Sequence, residues 1–76
     1  MKQILEILRE IRPESGFDSS SDFIADGILD SFDMVALVST LDRVYGISID
    51  GVDIIPEHFR NLDTIASLLG KYGIRP

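Results

Sequence analysis

Apolar positions recur at helical spacing in three stretches of the chain and thin out between them. From Lys2 to Arg12, Ile4, Leu5, Ile7, Leu8 and Ile11 share one face, while Lys2, Glu6, Arg9, Glu10 and Arg12 fill the remainder. That pattern predicts an amphipathic helix, stopped by Pro13. Ser31 to Tyr45 predicts a second helix: projected at about 100° per residue, Met34, Leu37, Val38, Leu41, Val44 and Tyr45 form one broad stripe that must face a core. Phe32 and Ala36 point away from the stripe, near Arg43, Ser39 and Thr40, and Val35 lies on its shoulder. Ser31 suits the N-cap or first turn, Asp33 complements the positive helix end, and Gly46 supplies the stop. A third helix runs from about Asp63, the expected N-cap, to Tyr72, with Ile65, Ala66, Leu68, Leu69 and Tyr72 inward and Gly73 as its stop.

The connections differ in kind. Residues 13–30 hold one Pro, two Gly, four Ser and four Asp, yet also Phe17, Phe23, Ile24, Ile28 and Leu29. Loops this long are uncommon in small domains, and the apolar residues predict an ordered one. Gly46 to Gly51 alternates Ile47 and Ile49 inward as an extended connector, and Pro56-Glu57-His58-Phe59 reads as one helical turn with Pro at its start. His58 is expected on the surface of that turn. Ile49, Ile54, Ile55, Phe59, Ile65 and Leu69 either line a cleft between helices or form ordinary core. The fold class expected is all-α, one domain over residues 1–76, with a three-to-four-helix bundle and a long ordered loop between the first two main helices.

Composition narrows the function. With 76 residues, no Cys and a net charge of −6, the chain cannot be stapled by disulfides and suits a reducing cytoplasm. The acidic balance argues against nucleic acid and favours a basic protein partner. No apolar run approaches the roughly 20 residues of a membrane span, and the N-terminus lacks the marks of a signal peptide.

The chemically suggestive stretch is Gly27-Ile28-Leu29-Asp30-Ser31-Phe32-Asp33. A serine where a long loop becomes a helix is expected to be exposed, and an anion tethered to it would lie near unpaired backbone N–H groups and the positive helix end. The plainer reading is that Ser31 only caps the helix. Phe32, Val35, Ala36 and Ser39, spaced i, i+3, i+4 and i+7, line the helix side next to Ser31 and suit a partner protein.

Asp30-Ser31-Phe32, with its Gly-Ile-Leu entry, resembles the attachment motif of the acyl carrier protein family. The likeness extends over the first helix, the long loop, Leu37, Val38 and Leu41, the Ile47-x-Ile49 connector and the Thr64-Ile65 helix. It implies that a phosphopantetheinyl transferase moves 4′-phosphopantetheine from coenzyme A onto Ser31, giving a monomeric, cytoplasmic carrier of acyl thioesters that is not itself an enzyme. The reactive thiol would belong to that group. Asp30 would help bind a transient magnesium ion in the transferase complex, with no stable metal site. Asp30, Phe32, Asp33, Val35, Ala36 and Ser39 would meet the partners: the transferase, an acyl- or aminoacyl-activating ligase, and downstream acyltransferases or synthases. Fatty acid synthesis or a specialised lipid or secondary-metabolite pathway would use it. Ala36 stands where many members carry Glu, which weakens the case for the general fatty-acid system. The Gly-Ile-Leu-Asp-Ser-Phe entry and the Pro56 turn are also similar to D-alanyl and peptidyl carrier proteins, so an aminoacyl cargo is the alternative.

Rival readings are poorer. An EF-hand loop starting at Asp22 places Gly27 and Asp33 correctly, but Ile24 occupies a ligand position and the entering segment contains Pro13 and Gly16. A serine hydrolase lacks both the G-x-S-x-G elbow and the length for its sheet. An unmodified helical interaction module remains open, with Ser31 as a cap only.

Overall fold

The computed structural model describes residues 2–13, 16–17 and 20–75, with Lys2 described by its backbone alone. The chain is all-α: α1 (Lys2–Ile11), α2 (Ser31–Tyr45) and α3 (Leu62–Lys71), with 3₁₀ turns at Gly51–Asp53 and Pro56–Phe59 and no strand among the described residues. The first helix packs on both α2 and α3, and the Pro56–Phe59 turn packs on α3. None of these helices is long and apolar enough to cross a membrane.

One core joins the elements. Ile4, Ile7 and Leu8 from α1 meet Met34, Leu37, Val38 and Leu41 from α2, and Ile65, Leu68 and Leu69 from α3. Phe17, Phe23, Leu29, Ile49 and Phe59 complete it from the connections. The stripe expected of α2 is therefore the buried one, apart from Val44, which is exposed. Val44 lies at the edge of the stripe in the last turn of α2.

Two expected caps move. Asn61, not Asp63, caps α3: its side chain accepts the Thr64 N–H at 2.9 Å, and Thr64 Oγ1 accepts the Asn61 N–H at 3.1 Å. Both residues are good capping types, and the helix starts one residue before Asp63, so that Asp63 only complements the positive end. The helix closes at Lys71, with half-buried Tyr72 as its C-cap.

Segment 20–30 is held by hydrogen bonds within itself and to Arg60. Phe23 donates its N–H to the Arg60 carbonyl at 2.6 Å and accepts the N–H groups of Ile28 and Leu29 at 2.8 and 3.0 Å. The reversal passes through Gly27 at φ +73°, a conformation glycine adopts without the steric cost a Cβ imposes. Phe23 also meets Phe17 edge-on, with ring centres 5.1 Å apart. Glu14, Ser15, Asp18 and Ser19 of the expected long loop lie outside the described residues.

Candidate functional site

The head of α2 is built around a reciprocal pair of aspartates. Asp30 is the N-cap: its Oδ1 accepts the Asp33 N–H at 2.9 Å, and Asp33 Oδ2 accepts the Asp30 N–H at 3.1 Å. The plain reading of Ser31 as the cap is thereby overturned. Asp30 fills that role, and Ser31 is the first residue of the helix proper. From the end of α1, Arg12 Nε donates to Asp33 Oδ2 at 3.0 Å, while another guanidinium nitrogen lies 4.0 Å from Asp30 Oδ2. The Asp33 N–H, aided by the Arg12 charge and opposed by partial desolvation, holds the Asp30 carboxyl below its ordinary range.

Ser31 stands exposed beside this frame, and its hydroxyl has no hydrogen-bond partner among the described residues. The following turns expose Phe32 (86%), Val35 (60%), Ala36 and Ser39. The expected strip therefore exists on one surface, next to the serine. Asp33, expected on it as well, is mostly turned into the capping pair.

The expected electrostatics of a tethered anion need correction. Asp30 and Asp33 already complement the positive end of α2, and Asp30 already takes the Asp33 N–H. A phosphate on Ser31 would therefore share the helix end with two carboxylates paired with Arg12, and the Asp33 N–H would not be open to it.

The calcium reading loses its ligands. Asp22 Oδ1 accepts the N–H groups of Ile24 and Ala25, at 3.1 and 3.0 Å, and its Oδ2 accepts Arg60 Nε at 2.9 Å. Those bonds, the Ala25 N–H first, lower the Asp22 pKa against partial desolvation. Asp26 is engaged by Ser20 at 2.6 Å. Among the described residues no cluster of His, Cys, Asp or Glu could hold a metal ion.

A second polar cluster was invisible in the sequence. Asp53, 6% exposed, accepts Lys71 Nζ on Oδ1 at 2.8 Å and Tyr72 Oη on Oδ2 at 2.5 Å. Tyr72 Oη in turn accepts the Asp50 N–H at 2.9 Å. His58, expected on the surface, is half-buried, with Nδ1 2.8 Å from the Asp53 carbonyl oxygen, the geometry of an Nδ1–H donor. Lys71 and Tyr72 hold the Asp53 carboxyl below its ordinary range despite desolvation. Acids in short polar stretches normally signal solvent, and the partners lie 18 and 19 residues away. No local pattern marks them.

Of the residues considered for a cleft, Ile49, Phe59, Ile65 and Leu69 are buried core, Ile54 is packed against it, and Ile55 is partly exposed. Two surface grooves occur elsewhere: one of about 290 Å³ flanked by Glu57, His58, Thr64, Ser67 and Lys71, the other flanked by Asp22, Ala25, Pro56 and Arg60. No protein-family model, curated protein or solved structure matches the chain.

Proposed function

We propose that this chain is a carrier protein, modified on Ser31 with 4′-phosphopantetheine and carrying acyl groups as thioesters. The observation that carries this reading is a division of labour at the head of α2. Asp30, Asp33 and Arg12 cap and fix the turn, leaving an exposed serine whose hydroxyl has no hydrogen-bond partner among the described residues, beside an exposed apolar strip. A serine kept only as a cap would hold an N–H of the first turn. In this reading the all-α chain is an acyl-carrier-like bundle of three main helices, with a long loop between the first two that is fixed by hydrogen bonds over residues 20–30.

The residues present fit the prosthetic group. In this reading the exposed Ser31 offers its Oγ to the transferase, and the exposed Asp30, which caps with one oxygen, would share a magnesium ion through the other, 4.0 Å from Arg12. Ser31 Oγ forms the new phosphoester bond to the pantetheine-bearing phosphorus of coenzyme A. The pyrophosphate bridge breaks, adenosine 3′,5′-bisphosphate leaves, and the hydroxyl proton passes to a base of the transferase or to solvent. Once attached, the group supplies the thiol on which acyl cargo is held. Phe32, Val35, Ala36 and Ser39 present partners with an apolar surface, so shape and burial contribute more to recognition there than charge does.

The test is the intact mass after incubation with coenzyme A, magnesium and a broad-specificity phosphopantetheinyl transferase. A phosphopantetheine-sized gain on the wild type and none on Ser31→Ala supports the reading. No gain on the wild type with several transferases returns the chain to the class of unmodified interaction modules.

A further inference from the structure

Resting on the carrier reading, we propose that the cargo held on Ser31 is a short or polar acyl group, aminoacyl groups included, that stays in solvent, because the Asp53 cluster straps shut the apolar interior a longer chain would need.

The core side chains nearest the attachment point in sequence are already sealed: Leu29, Met34 and Leu37 are buried on either side of the Asp30–Asp33 turn, while Phe32 and Val35 face solvent. The other route inward runs between α3 and residues 47–59. There Ile49 and Phe59 lie in the same core as Ile65 and Leu69, and three of these four are fully buried. For an alkyl chain of several methylenes to enter, residues 47–59 would have to separate from α3.

Polar ties oppose that separation where it would begin. Asp53 takes both Lys71 and Tyr72 from the C-terminal end of α3, and the Asp50 N–H reaches the same Tyr72 oxygen. His58 joins the Pro56–Phe59 turn to the Asp53 carbonyl, and Asp42 Oδ1 accepts the Ile49 N–H at 2.9 Å, fixing the connector to α2 as well. Opening would break the Asp53–Lys71 pair and the bonds that join the Tyr72 hydroxyl to Asp53 and the Asp50 N–H to Tyr72, and a docked chain must outweigh their net stabilisation. A short or polar acyl group has little to gain from the interior and no reason to open it.

The experiment loads Ser31 from acetyl-coenzyme A and from octanoyl-coenzyme A with the same transferase, with loading checked by intact mass. Melting temperature and the rate of thioester cleavage by hydroxylamine are then compared. A chain docked in the folded state would stabilise it and shield the thioester. The wild type is expected to show the same melting temperature for both cargoes and cleavage rates equal within about twofold. Asp53→Asn and, as a second variant should that one fold poorly, Lys71→Met are expected to gain a dependence on chain length: octanoyl raises the melting temperature and slows cleavage. An octanoyl form of the wild type that melts higher and is cleaved several-fold more slowly overturns the proposal, and variants as indifferent as the wild type overturn the role given to Asp53. Failure to load either cargo, seen in the mass alone, counts against the carrier reading itself.

Discussion

Two clusters in this molecule are built from the same parts, an aspartate, a basic side chain and backbone N–H groups, and they do opposite work. At the head of α2, Asp30 and Arg12 lie at the surface and, with the half-buried Asp33, organise a turn in which the exposed Ser31 hydroxyl has no hydrogen-bond partner among the described residues. At the end of α3, Asp53 is buried and its side chain is consumed by Lys71 and Tyr72. Burial separates the roles. A surface ion pair can be lost cheaply, so that region is free to present chemistry, whereas a buried carboxylate must keep every partner and so becomes a fixed point of the fold.

The largest effect is expected of Ser31→Ala. Loading with phosphopantetheine should fall from complete to undetectable by intact mass, while the stability in urea should change by less than about 0.5 kcal/mol, because the hydroxyl is exposed and has no partner among the described residues. A large loss of stability would mean that the serine belongs to the fold after all.

Asp53→Asn should act the other way, lowering the melting temperature without preventing modification of Ser31. Its pH dependence supplies a second check. The folded-state pKa of Asp53 lies below its ordinary value, so its stabilisation is present in full above the unfolded value of about 4 and is lost as pH falls through the lowered folded value. Asp22 and Asp30 are lowered too and titrate in both proteins, so the difference between wild type and Asp53→Asn isolates the one carboxyl. That difference should be constant from about pH 7 to pH 5 and shrink below about pH 4. A difference that grows in acid would contradict the ion pairing.

How legible each cluster was follows from the same contrast. The head of α2 could be read because its determinants are local: a polar loop, a serine at the junction, and a stripe whose period leaves Phe32 and Ala36 outside. Even there the choice between Asp30 and Ser31 as the cap was closed to inspection of residue types, since both cap well. The signal that settles it is the spacing Asp30-x-x-Asp33, an acidic version of the capping box, and Asn61-x-x-Thr64 repeats it at α3. The Asp53 cluster depends on chain returning from 18 and 19 residues away, which no periodicity encodes.

Phe32→Glu tests the other half of the head of α2. The side chain is 86% exposed, so stability should stay within about 0.5 kcal/mol of wild type, while kcat/KM for transfer to or from a partner enzyme should fall about tenfold, equivalent to 1.4 kcal/mol of lost docking. A drop in melting temperature without loss of transfer would show that Phe32 packs and does not recognise.

The smallest expected effect belongs to Arg12→Gln, and it discriminates through salt. Arg12 is 43% exposed in its pair with Asp33, so removing it should cost about 0.5 kcal/mol at low ionic strength. Near 1 M salt, where the screening length shrinks to about 3 Å, the difference between wild type and variant should nearly vanish. The penalty of Asp53→Asn should persist in part under the same conditions: the share from Lys71, 60% exposed, is screened, whereas the bond from the neutral Tyr72 hydroxyl is not. Equal salt sensitivity at the two sites would erase the distinction between a surface clamp and a buried strap, and with it the reason Ser31 is the group left exposed.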